Sequence, residues 1–308
     1  MSRFDVVIIG GGAAGLTAAL VLLRAQRAVA VVDAGTPRNA PAQAMHGFLS
    51  RDGTPPRELI AAGRQEVEHY GGVLIDDTVT GAEAAETPGF RVRLASGRDL
   101  AARKLLVATG LTDHVPDLPG IRERWGRDVL HCPYCHGHEV RHRWLGVLGG
   151  DADAVQHALL IRQWSEDLTL FSHTETVSDE QRARLAARDI RIVEGAVAGL
   201  VVRDDRLRGV ELADGTVIAR DAVFVRPRFI PNSALLTRLG CRTDEHGWVE
   251  HDPTGRTSVP GVRVAGNAAD PRAQVITAAG QGSAAAIALN AELVDEDVEQ
   301  ALAARSAR

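Results

Sequence analysis

In Phe4-Asp-Val-Val-Ile-Ile-Gly10-Gly-Gly12-Ala-Ala-Gly15-Leu-Thr-Ala-Ala, a short apolar run breaks into glycines and resumes as small apolar residues. Few folds accept that pattern. It predicts a buried strand turning sharply into a helix through G-x-G-x-x-G. Gly10 permits the tight turn, Gly12 lets the backbone approach a pyrophosphate, and Gly15 lets helix and strand pack closely. The helix N-terminus, with its unpaired N–H groups, would face the phosphate charge. A second apolar strand, Ala28 to Val32, ends at Asp33, a carboxylate placed to accept hydrogen bonds from ribose hydroxyls. Glycines alone are a weak signal; strand, loop, helix, strand and acid in order are a strong one.

The same design recurs in Trp144-Leu-Gly-Val-Leu-Gly149-Gly150-Asp151-Ala-Asp-Ala154, with Leu168-Thr-Leu-Phe171 as its second strand. This copy is eroded. Asp151 stands where the second motif glycine belongs, setting a carboxylate near any bound phosphate, and the strand ends in Ser172-His173-Thr174 instead of a basic pair. Two arginines on a ribose 2′-phosphate would each contribute roughly 1.5–3 kcal/mol. Without them NADPH binding should weaken by about two decades or more. NADPH is therefore expected to bind weakly or not at all.

Lys104-Leu-Leu-Val-Ala108-Thr109-Gly110 reads as a buried strand ending in small residues beside the first loop. Near the end, Thr257-Ser-Val-Pro-Gly261-Val-Arg-Val-Ala-Gly266-Asn267 reads as a turn, a strand and a tight stop. It leads into a small-faced helix from Gln274-Val275. If that segment returns to the first domain, the middle of the chain is an insertion. The expected domains are 1–113 with 246–308, and 114–245. Hinges are expected at Thr112–Gly120 and Asp244–Gly247. At 308 residues two domains are reasonable.

A net charge of −5, with Lys104 the only lysine, leaves no basic footprint for nucleic acid or an anionic membrane. Asp5 and the glycines interrupt the apolar N-terminus where a secretory core should continue, and no run of about 18 apolar residues occurs. Three cysteines do not make a disulfide-stapled scaffold. A cytoplasmic location is expected.

His131-Cys132-Pro133-Tyr134-Cys135-His136-Gly137-His138-Glu139 is the chemical centre. Two cysteines three apart at a helix start can form a disulfide, and Pro133 suits the first helical position. The helix dipole and neighbouring histidines would favour the reactive thiolate. A zinc site, a c-type haem attachment or inert structural cysteines are the alternatives. The zinc ligands are crowded, and haem attachment needs an export route, so a redox dithiol with no bound metal is preferred. Cys241, alone after a predicted helix, reads as a small buried residue.

In that order, the first loop, Ala108-Thr109-Gly110, the central CxxC and the Gly266 segment resemble low-molecular-weight thioredoxin reductases over essentially the whole chain. The resemblance implies an α/β fold of two Rossmann-like domains, the second inserted into the first, with FAD in the first and a homodimer as the working form. It also implies that Cys135 meets the flavin and Cys132 meets the substrate. Thr36-Pro37-Arg38-Asn39, His46-Gly47-Phe48-Leu49 and Arg51-Asp52-Gly53 bring the match nearer to a branch of dithiol oxidases similar to those forming gliotoxin and holomycin. Members of that branch oxidise a small-molecule dithiol and pass the electrons through FAD to dioxygen without NADPH.

The cofactor-binding set implied for FAD begins with Gly10, Gly12, Ala13, Ala14 and Gly15, and continues with Asp33, Ala34, Arg38, Asn39 and His46. Ala108, Thr109 and Gly110, then Gly266, Asn267, Gln274 and Val275, complete it. Asn267 departs from the thioredoxin reductase pattern, which has an acid there. Cys132-Pro133-Tyr134-Cys135 departs too, replacing the usual small residue after the first cysteine, and is expected to reshape the substrate opening.

Thiol exchange needs a base, and an unperturbed histidine suits it at cytoplasmic pH. His131 is preferred over His136, with Cys132, Cys135 and His131 as the catalytic set. A disulfide reductase driven by NADPH or ferredoxin and a flavin-binding redox sensor are the competing readings.

Overall fold

The computed structural model describes residues 2–85 and 89–307. It divides into two compact units. One comprises Met1–Ala40, Thr54–Thr112 and Phe229–Arg308, and the other Pro41–Gly53 and Asp113–Arg228.

In the first unit the strands Val73–Asp76, Val29–Asp33, Ser2–Ile9 and Asp99–Val107 lie side by side in parallel. Asp99–Val107 then forks. Its first half pairs antiparallel with Phe90–Leu94, which in turn pairs antiparallel with Val79–Ala84, while Leu105–Val107 pairs in parallel with Val262–Val264. Both faces of the parallel strands are covered. Val6 and Ile8 enter one apolar cluster and Val7 and Ile9 the other, and Val29 and Val31 divide from Ala30 and Val32 in the same way. That is why these strands are apolar at every position instead of alternating.

The helices Ala13–Arg24 and Val275–Ser306 cover one face. Their small residues allow the backbones to meet: a Cβ on Gly282 would lie 2.1 Å from the Ala14 carbonyl oxygen. The long helix also takes in the Ala-rich C-terminal residues as far as Ser306.

The second unit holds a five-stranded, all-parallel sheet ordered Arg191–Val193, Leu168–Phe171, Leu145–Leu148, Ala222–Phe224 and Val129–Leu130. A three-stranded antiparallel sheet, Val197–Arg203, Arg206–Leu212 and Val217–Ala219, joins it. The protein is thus an α/β chain with two Rossmann-like sheets.

Two segments fall elsewhere than the sequence places them. Residues 229–245 belong to the first unit, and Asp244–Gly247 is a turn inside it, closed by the Gly247 N–H donating to the Asp244 carbonyl at 3.1 Å. Burial decides this, because Leu235, Leu236, Cys241 and Val249 all enter that unit's core. Pro41–Gly53 groups with the second unit, where Met45 is buried and Pro41 lies against Gly126.

Candidate active site

In the first unit the glycine loop is shaped by contacts that forbid a side chain. Gly10 has φ +107°, and a Cβ there would meet the Ala108 carbonyl oxygen at 2.3 Å. On Gly15 it would strike the Gly10 carbonyl at 1.9 Å. Gly12, by contrast, faces open space, with nothing within 4 Å of its Cβ position. The Asp33 carboxylate accepts from Gly11 N–H at 2.9 Å and from Gly35 N–H at 3.3 Å, tying the second strand's end, and exposed Ala34, to the loop. Ala13 and Ala14 open the helix.

Thr109 and Gly110 follow the next strand and are held by Asn232, a residue that sequence reading did not single out. Thr109 Oγ1 donates to the Asn232 carbonyl and Asn232 Nδ2 returns a bond to the Thr109 carbonyl, each at 2.9 Å.

Gly266, at φ +69°, donates its N–H to Gln281 Oε1 at 2.9 Å. The Asn267 amide is committed within the chain. Its Nδ2 donates to the carbonyls of Asp270 and Ala273 at 2.9 and 3.0 Å, and its Oδ1 accepts from Arg38 at 3.2 Å. It therefore organises the turn leading to Gln274, the N-cap, and Val275, the first residue of the long helix. Arg38 also lies 5.1 Å from the centre of the Phe229 ring. Asn39 is half-buried in the turn that Ala40 N–H closes onto Pro37 O.

In the second unit the chemistry gathers at the carboxyl ends of the parallel strands, where open α/β sheets bind their ligands. Cys132 and Cys135 are joined in a disulfide with Cα atoms 5.3 Å apart. Cys132 caps a helix with Pro133 in its first turn, as the sequence suggests, but the helix is only Pro133–His136. One turn carries little macrodipole, so thiolate stabilisation has to come mainly from side chains.

His131 follows the edge strand Val129–Leu130, and its Nδ1 lies 3.1 Å from the Val225 carbonyl. A carbonyl can only accept, so Nδ1 carries the proton. His136 is half-buried, and burial lowers its pKa against the opposing pull of Glu139. His46 lies in this unit, between Asp52 (3.4 Å) and Glu139 (3.5 Å). The Gly47 N–H, and then His46, hold the Asp52 carboxyl below its ordinary range. His138 and His142 are exposed. Tyr134 is 64% exposed and stands edge-on to Trp164.

His157 was not singled out from sequence. It is 6% exposed, and burial, aided by His131 and Arg226, pushes its pKa down to about 3. In the unfolded chain it takes up a proton near pH 6.5, whereas in the fold it stays neutral. Stability is therefore present above pH 6.5 and is lost as pH falls from there towards 3, at about 1.4 kcal/mol per pH unit from this residue. Urea midpoints between pH 7 and 4.5 should show that slope, and His157→Phe should flatten it. An equal slope in the variant would assign the acid sensitivity elsewhere.

The nucleotide-type loop of this unit is closed on itself. Asp151 Oδ1 accepts from Asp153 N–H at 2.8 Å, and Arg226 pairs with Asp151 at 3.2 Å and Asp153 at 2.7 Å. The adjoining cavity, lined by Asp151, Ser172, Glu175 and Gln181 among others, is about 30 Å³. Among the described residues no group of three or more His, Cys, Asp or Glu side chains could hold a metal ion, and no helix is long and apolar enough to cross a membrane.

The family profile described as "Pyridine nucleotide-disulphide oxidoreductase" matches residues 4–282, which take in both glycine loops and the cysteine pair. The chain belongs to that family. As a pyridine nucleotide-disulphide oxidoreductase it is a flavoprotein, and its first unit suits FAD: a loop open at Gly12, a helix N-terminus at Ala13 and a carboxylate at the second strand's end. HlmI, a solved structure, is 55% identical, with a TM-score of 0.95 over 99% of this chain and 98% of that one. A putative thioredoxin reductase, TrxB, from Bacillus anthracis is 32% identical, with a TM-score of 0.91 over 96% and 99% of the two chains. The thioredoxin reductase sirT of Leptosphaeria maculans is 32% identical over 99% of this chain and 98% of its own. The likeness to thioredoxin reductases read from the loops and the CxxC holds across the family member's whole length.

Proposed function

We propose that this flavoprotein is a dithiol oxidase, closing a disulfide in a small-molecule dithiol through Cys132 and Cys135 without NADPH. The observation that carries this reading is the self-filled second loop. Asp151 puts a carboxylate at the phosphate position and Arg226 is already engaged by two carboxylates. A nicotinamide nucleotide would have to break the Arg226 pairs and sit against Asp151 and Glu175.

The first glycine loop, Asp33, the Ala108–Gly110 segment and the Gly266–Val275 turn would hold FAD, which would supply the electron acceptor for the cysteine pair and the route to dioxygen. A substrate thiolate attacks Cys132 Sγ, breaking the Cys132–Cys135 bond and leaving Cys135 as a thiolate. The second substrate thiolate attacks the substrate sulfur of the mixed disulfide, so Cys132 departs and the product disulfide closes. Each dithiol gives up two electrons and two protons, and one dioxygen receives them as hydrogen peroxide. His131, its Nδ1–H committed to Val225, takes the thiol protons at Nε2.

A homodimer in the cytoplasm is the proposed working form. A row of exposed apolar residues on the long helix, Ile287, Val294, Val298 and Leu302, supports a buried partner there. The name of the fungal relative sirT favours a second reading, a disulfide reductase fed by NADPH or ferredoxin.

Oxygen uptake by the purified protein decides between them. With dithiothreitol alone, one dioxygen should disappear per dithiol, and added NADPH should change nothing. By calorimetry NADPH should bind no tighter than about 100 μM. Uptake that starts only with NADPH, or micromolar NADPH binding, would restore the reductase.

A further inference from the structure

We infer that His157 is a positioning residue: its ring holds the His131 carbonyl and so fixes the His131–Cys132 segment for thiol exchange. The inference rests on the reading of His131 as the base.

His157 lies in the helix Ala154–Ile161, just beyond the closed nucleotide-type loop. Its Nε2 is 3.1 Å from the His131 backbone oxygen. Because that oxygen can only accept, Nε2 carries the proton. Nδ1 is then a bare acceptor, and it is buried with no hydrogen-bond partner. A leucine or phenylalanine could fill the same apolar surroundings, edge-on to Phe224, without leaving that atom unsatisfied. The orphaned nitrogen is the cost of keeping a donor at Nε2, and buried unsatisfied groups in folded proteins call for such a reason.

The donor meets a sensitive point. His131 is the residue between the edge strand and Cys132, and it is gripped twice: its side chain by the Val225 carbonyl, its backbone by His157. The two imidazole rings are 5.7 Å apart, so His157 also walls one side of the His131 ring. With both grips in place, neither the peptide leading into Cys132 nor the ring can turn freely. Burial keeps His157 uncharged across the working pH range, so it acts as a donor and does not compete with His131 for protons.

The test compares wild type, His157→Phe and His157→Gln, whose amide N–H can reach the same carbonyl. One arm follows anaerobic flavin bleaching by dithiothreitol in a stopped-flow instrument. The other measures iodoacetamide alkylation of the pre-reduced protein from pH 5 to 9. In H157F the maximal bleaching rate and the alkylation rate at neutral pH should each fall about tenfold, as expected for a displaced reacting group. Half-saturation, FAD content and thermal midpoint at pH 7.5 should stay near wild type. H157Q should recover most of both rates. His157→Leu reads the same contrast if the larger ring does not retain flavin.

Wild-type rates in H157F in both arms would overturn the inference. So would an H157Q protein that is folded and yellow but no faster than H157F. If dithiothreitol fails to bleach even the wild-type flavin, the oxidase reading falls, and the alkylation arm still decides the role of His157.

Discussion

Replacing Cys132 with serine is expected to lower kcat/KM for dithiol oxidation by about 1000-fold or more while the protein stays yellow. The disulfide is the electrophile, and a serine at 132 can neither form it nor be attacked at sulfur. The loss should be nearly complete because no other thiol can stand in. Cys241, the remaining cysteine, is buried in the core of the other unit, where burial raises its pKa and its Sγ meets Thr257. FAD content should be unchanged, since the glycine loop, Asp33 and Ala108 all lie in the first unit. Flavin absorbance per protein and initial oxygen uptake, measured on one preparation, check both halves. Turnover within tenfold of wild type would mean that electrons reach the flavin without the cysteine pair.

His131→Ala carries the second large effect, a fall of about 100-fold in kcat with FAD still bound. In the proposed mechanism the wild-type residue, held at Nδ1 by Val225, takes the thiol proton at Nε2. Without it, an incoming thiol must lose its proton to water. The rate should then track the substrate's own thiolate fraction, rising steeply with pH and recovering partly above pH 9. His136 is the internal control. It is half-buried, and burial lowers its proton affinity against the opposing pull of Glu139. His136→Ala should cost less than tenfold. If His136→Ala is the slower variant, the base assignment moves five residues along the chain, from His131 to His136.

Much of this was legible in the sequence, and the parts that were share a cause. Gly10, Gly15 and Asp33 act on neighbours a few residues or one strand away, so the glycine spacing and the apolar runs carry their geometry. The disulfide and the proline-led turn behind it are local as well. What escaped depends on contacts far along the chain. Nothing near Leu235 and Leu236 shows which core will take them, so the second crossing was placed near 245 instead of at 228 and 229. Met45 draws its loop to the second unit in the same silent way.

Asn267 looked available to a ligand because Arg38, which donates to its Oδ1, is distant in sequence. Asn232 and Arg226 were invisible for the same reason: each closes a loop more than seventy residues away. His157 gave no signal at all, since a histidine within Gln-His-Ala-Leu reads as an ordinary helix residue until its ring is seen beneath the His131 carbonyl.

The central claim is that electrons enter from a dithiol and leave to oxygen, with no nicotinamide nucleotide between. An anaerobic titration of the purified yellow protein, followed near 450 nm, tests it most directly. Dithiothreitol should bleach the flavin with an endpoint of one dithiol per FAD beyond the equivalent taken by the Cys132–Cys135 disulfide, and air should restore the colour within the mixing time or soon after. NADPH at millimolar concentration should leave the absorbance unchanged. Bleaching by stoichiometric NADPH, with slow recovery in air, would contradict the account and return the protein to the disulfide reductases.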